Sequence, residues 1–94
     1  MSADRIATLH AIRDGRAGIT GAVQRDRMLT ALHVLGSLTT FEASRHLDVY
    51  DPRARTMELR QAGHGILTVW ERERTECGAW HRIGRYVLAK GAKR

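Results

Sequence analysis

Hydrophobic positions recur with a helical period as far as Ala62 and with a period of two after Gly65, so the pattern predicts helices first and strands last. From Ala3 to Arg13, Ile6, Leu9 and Ile12 stand at three-residue steps with Ala7 beside them, which predicts a short helix with a narrow apolar stripe. "GRAGITG" then breaks the pattern at Gly15, Gly18 and Gly21. A longer amphipathic helix is predicted from about Ala22 to Leu35. Val23, Met28, Leu29, Leu32 and Leu35 form one side, Gln24, Arg25, Asp26 and Arg27 lie largely on the other, and Gly36 stops it.

Thr39 followed by Glu42 at the third position is a capping box, so a further helix starts near Thr40 with Phe41, Ala43, Ser44 and Leu47 as its packing side. "DVYD" turns the chain, Asp51 suits an N-cap and Pro52 suits the first helical position. The next helix runs from about Pro52 to Ala62 and ends at Gly63. "ILTVWERER" and "AWHRIGRYVL", separated by the polar "TECG", then predict a β-hairpin. Ile66, Thr68 and Trp70 share one face of its first strand, and Trp80, Arg82, Tyr86 and Leu88 share one face of its second. Three regions follow: an N-terminal helix with a glycine-rich linker over 1–21, a folded unit over 22–88, and a basic tail over 89–94.

Composition narrows the picture only slightly. A chain of 94 residues with 43% hydrophobic side chains supports one small core. The formal charge is +6, and it is unevenly placed: residues 1–50 hold six Arg/Lys against five Asp/Glu, and residues 51–94 hold ten against five. From Gly78 to the end there are five basic residues and no acid, which suits a polyanionic partner. A lone Cys77 excludes an internal disulfide. Nothing has the length or apolarity of a membrane span or signal peptide, so a cytoplasmic location is expected. Cys77 and His81 supply two zinc ligands where three or four are needed, and there is no nucleophile elbow, Walker loop or HExxH. Neither a metal, a cofactor nor an enzyme activity is expected.

The order helix, helix, turn, helix, hairpin is carried by "RMLTALHVLGSLTTFEASRHLDVYDPRARTMELRQAGHGILTVW" and the closing "GRYVL". Over about Arg27 to Leu88 the chain resembles the winged helix-turn-helix proteins, and more narrowly the small helix-turn-helix proteins of bacteriophages and prophages. The resemblance implies an α+β fold, mainly helical with a C-terminal two-stranded hairpin. It also implies duplex DNA as partner, a role in transcriptional control, and residence in the bacterial cytoplasm or nucleoid. Two features depart from the family pattern. Pro52 and Thr56 stand where aliphatic packing is usual, and Glu71, Glu73 and Glu76 burden the hairpin with negative charge.

Helical geometry divides the 52–62 segment into a core arc of Pro52, Thr56, Leu59 and Gly63 and an opposite arc of Arg53, Met57, Arg60 and Gln61. The second arc suits a major groove: Arg forks onto guanine, Gln onto adenine, and Met lies against a thymine methyl. Arg53 is the foremost base-contact candidate because recognition helices enter the groove with their N-terminal residues. The bland reading is a solvated face, and an alternative rotation makes Ala54, Met57 and Gln61 a packing edge. Backbone-phosphate candidates are Thr39, Thr40, Arg55, Arg82, Arg85, Lys90, Lys93 and Arg94. For Thr39 and Thr40 the competing role is capping, and Arg55 is equally suited to an ion pair with a helix acid. Residues 3–13 are a candidate homodimer element or part of the monomer core. A second reading is a winged-helix module for a host or phage protein partner, which the hairpin acids favour and the basic charge disfavours.

Overall fold

Each helix among the described residues begins on a side chain that accepts one of its free N–H groups. Ser2 accepts from Arg5 at the start of α1 (Ala3–Gly15), and Thr20 from Val23 at the start of α2 (Gly21–Leu35). Thr39 and Glu42 form the full capping box of α3 (Thr40–His46), and Asp51 accepts from Ala54 ahead of Pro52 in α4 (Pro52–Gln61). Gly36, at φ 81°, closes α2 in the left-handed conformation. These assignments come from a computed structural model that describes residues 2–89.

The strands are β1 (Ser37–Thr39), β2 (Ile66–Arg74) and β3 (Trp80–Leu88), in an antiparallel sheet of order β1-β3-β2. The hairpin is therefore extended by a third strand that the sequence pattern does not reveal. Three residues are too few to show an alternation, and only the pairing of Ser37, Leu38 and Thr39 with Val87, Tyr86 and Arg85 defines β1. In the hairpin, Ile66 faces Leu88, Trp70 faces Gly84 and Arg72 faces Arg82.

The core gathers Leu9 of α1, Met28 and Leu32 of α2, Leu38 of β1, Leu47 and Val49 beside α3, Leu59 of α4, and Ile66 and Tyr86 of the sheet. Leu9 is fully buried, and Arg5 reaches across to Glu42 at 2.6 Å. Of the apolar stripe of residues 3–13, Leu9 thus enters the monomer's own core, while Ile6 and Ile12 stay half-buried and Ala7 exposed. In α3, Ala43 and Leu47 are buried and Phe41 half-buried, but Ser44 is exposed.

The polar side of α2 also needs correction, because Gln24 and Arg27 are buried, at 3% and 2% exposure. Arg27 donates to the carbonyls of Arg16, Gly18, Leu47 and Asp48. Gln24 donates to the Ile19 carbonyl at 2.8 Å and accepts from the Tyr50 N–H at 3.1 Å. Both residues face backbone carbonyls and amides of two irregular segments instead of water, a distinction that amphipathic patterning does not make. Thr56 is buried in the apolar core, and its hydroxyl finds no partner among the described residues.

Three stability measurements follow. Arg27→Met strips the partner from several buried carbonyls and is expected to cost about 3 kcal/mol in chemical denaturation, against under ~1 kcal/mol for Arg25→Met at the surface. Thr56→Val removes the unpartnered hydroxyl at nearly constant volume and is expected to gain about 1 kcal/mol. Burial pushes the Glu42 carboxyl up, but its bonds to Arg5 and to the Thr39 N–H outweigh this and hold it below the ordinary value. A depressed folded-state value means that this stabilisation is complete above the unfolded carboxyl pKa, about 4.3, and is lost as pH falls through the lower folded value. Unfolding curves in that acid range should show a weaker pH dependence for Glu42→Gln than for the wild type.

Candidate nucleic-acid interface

Asp51 and Pro52 set the rotation of α4 at its first turn, and the helix then buries Thr56 and Leu59 while Arg53, Met57, Arg60 and Gln61 face out. Met57 is 60% exposed, so the rotation that makes it a core residue does not occur. Across from this arc, the pleat of the hairpin sorts its side chains by parity. Thr68, Trp70, Arg72 and Arg74 share one face with Trp80, Arg82, Gly84 and Tyr86, whereas Glu71 and Glu73 belong to the other.

The first of these faces turns toward α4. A groove of about 630 Å³ is lined by Arg53, Met57 and Arg60 of α4, by Thr68, Trp70, Arg82 and Gly84 of the hairpin, and by Thr40, Phe41 and Ser44 of α3. Arg60 braces its two walls, donating from Nε to the Ile66 carbonyl at 2.8 Å and from Nη2 to Thr68 Oγ1 at 2.9 Å. Gln61 is exposed but does not line the groove.

Ion pairs divide the arginines by side. Glu58 receives Arg55 at 2.7 Å and Arg25 at 2.8 Å, and these two bonds, Arg55's first, hold its carboxyl below the ordinary range. Glu71 receives Arg85, whose guanidinium also donates to Ser37 Oγ at 2.9 Å on the far face of the sheet. Glu76 receives Arg45. By contrast, Arg53, Arg60, Arg72, Arg74 and Arg82 form no ion pair with an acid among the described residues.

This geometry revises the phosphate candidates. Arg55 and Arg85 are held by carboxylates away from the groove. Thr39 is 1% exposed and its hydroxyl accepts from the Glu42 N–H at 3.0 Å, so it is a cap and offers no seat for an anion. Thr40 and Arg82 do line the groove, while Lys90, Lys93 and Arg94 lie outside the described residues. Arg72 and Arg74 are groove-face residues that the acids around them obscured. The signal was present in "WERER": strand alternation places tryptophan and both arginines on one face and both glutamates on the other.

Both exposed indoles carry guanidiniums. Arg82 lies 4.4 Å from the Trp70 ring centroid, and Arg72 and Arg74 lie 5.5 and 5.9 Å from that of Trp80. Among the described residues, no three His, Cys, Asp or Glu side chains gather to hold a metal ion, and no helix is long and apolar enough to cross a membrane.

A family model described as a winged helix-turn-helix domain matches residues 23–91. No curated protein and no solved structure matches the chain significantly. The two faces of α4 are separable by mutation. Leu59→Ala is expected to cost about 3 kcal/mol of folding stability and Met57→Ala under ~0.5 kcal/mol, as measured by denaturant titration.

Proposed function

The chain belongs to the winged helix-turn-helix domain family, and we propose that it binds duplex DNA in a sequence-specific manner, reading the major groove with α4 and gripping the backbone with the hairpin. The observation that carries this reading is the sided distribution of arginine. Acids take up the guanidiniums on the flanks, Arg55 of α4 included, while those on the outward arc of α4 and on the facing side of the hairpin are left for an external anion. Arg53 stands at the start of α4 and is the residue proposed to fork onto a guanine, with Met57 one turn on against a thymine methyl. Arg60 and Gln61 complete the proposed reading arc, although Arg60 is also occupied in bracing β2. Thr40 and Arg82 are proposed backbone contacts, extended by Lys90, Lys93 and Arg94 of the tail.

In this reading the protein is a transcriptional regulator of phage or prophage type, acting in the bacterial cytoplasm or nucleoid without enzymatic activity. The phage assignment rests on the resemblance of the Arg27 to Leu88 segment alone. A homodimer on a two-fold symmetric site belongs to the same proposal, with residues 3–13 as its candidate element around the half-buried Ile6 and Ile12. The hairpin acids add little to the protein-partner reading, because Glu71 and Glu76 are ion-paired and Glu73 lies on the face opposite Arg72, Arg74 and Arg82, while the exposed Met57, Trp70 and Trp80 favour it.

Fluorescence anisotropy of a labelled duplex pool over a salt series tests the proposal. Wild type is expected to bind with a log–log salt slope of several units. Arg53→Ala should weaken binding to the preferred sequence about tenfold and relax the preference, and Arg55→Ala should bind nearly as wild type. Absence of binding at low salt would overturn the reading.

A further inference from the structure

The family match begins at residue 23, so α1 lies outside it and is held to the domain by contacts of its own. Leu9 enters the core, and Arg5 bonds to the Glu42 carboxylate and donates to the Ser37 carbonyl at 2.8 Å. A third tie joins two imidazoles. His10 Nε2 lies 3.1 Å from Nδ1 of His46 on α3, and the two half-buried rings are tilted at 53° with centroids 5.1 Å apart. One ring nitrogen must donate and the other accept, so the bond needs a lone pair on one ring and is lost when both are protonated. The surrounding charges oppose the second proton. Arg13 of α1 and Arg45 of α3, the latter also paired with Glu76, add positive charge near His46. The acids in reach are already engaged, Glu42 with Arg5 and Asp14 with Arg13 at 2.9 Å, while Asp48 in the turn after α3 acts on Arg13. Burial first, then His10, Arg45 and Arg13, hold the His46 imidazole below its ordinary value against the upward pull of Glu42.

We propose that the His10–His46 bond is a proton-sensitive latch that fastens α1 to α3, closed while one ring is neutral and open when both carry a proton. A depressed folded-state value for His46 means that the latch contributes fully above the unfolded histidine pKa, about 6.5, and that its contribution is lost as pH falls through the lower folded value. Mild acid therefore opens it, because histidine is the side chain whose ordinary charge change falls in that range. The Arg5–Glu42 tie persists there, since Glu42 is held below the ordinary carboxyl value and stays ionised. The two ties thus open in separate pH ranges, and the C-terminal half of α1, from His10 onward, is freed first. The latch does not depend on duplex binding.

Amide hydrogen exchange of the full chain, resolved by residue and corrected for the intrinsic effect of pH, tests the latch at about pH 7.5 and about pH 5.5, on either side of the ordinary histidine pKa. Protection over residues 10–15 is expected to fall severalfold relative to α2 at the lower pH. His46→Gln keeps a neutral hydrogen-bonding group opposite His10 and should remove that pH response while α1 stays docked. Titration of the wild-type ring protons by NMR gives a second reading that needs no variant, and His46 is expected to titrate below about 6.5. Equal protection of residues 10–15 at both pH values overturns the latch, and so does a folded His46→Gln chain that keeps the wild-type response. If that variant does not fold, titration of wild-type His46 at its ordinary value overturns it. Loss of protection spread evenly over α1 and α2 marks global acid unfolding and overturns it equally.

Discussion

A buried guanidinium without an acidic partner governs the geometry of this protein. Arg27 sits at 2% exposure, where an isolated charge is costly, and it is stabilised by carbonyls from two irregular segments. One segment is the glycine-rich stretch before α2, and the other is the turn after α3, where Asp48 adopts a positive φ of 57°. Gln24, one turn earlier on α2, ties the same two segments through Ile19 and Tyr50. The turn fixes the direction in which α4 leaves, so the groove depends on contacts formed beneath it.

Above that scaffold, charge is organised by pairing. Each acid that takes up an arginine on a flank removes a competing site for an external anion. Glu58 absorbs two, Glu71 absorbs Arg85, and Glu42 joins Arg5 to the capping box of α3. Among the described residues, the exposed arginines left without an acid, Arg53, Arg60, Arg72, Arg74 and Arg82, lie on the outward arc of α4 and on one face of the hairpin. The hairpin shows the same logic within a single strand. Its glutamates and arginines alternate, and the pleat converts alternation in sequence into separation in space.

Arg60 links these two levels. Its position on the outward arc of α4 places it within the proposed reading arc, and its bonds to Ile66 and Thr68 make it a brace between helix and strand. A guanidinium carries several donors and can serve both purposes. Trp70 and Trp80 have a similar double character, as hairpin packing and as supports for arginine.

Local rules written into the sequence determined where the elements lie. The capping box at Thr39 and Glu42, Asp51 before Pro52, Gly36 after α2, and the change of period at Gly65 all act over a few residues, so they are legible without the fold. They also placed Thr56 and Leu59 inward and Arg53 and Met57 outward on α4. Tertiary structure decided what depends on partners distant in the chain: the pairing that creates β1, the burial of Gln24 and Arg27, the absorption of Leu9 into the core, and the capture of Arg85 by Glu71. The physical reason is that an arginine bears the same charge in every context, and whether it is buried, paired or left for a ligand depends on which carbonyl or carboxylate the fold brings within reach.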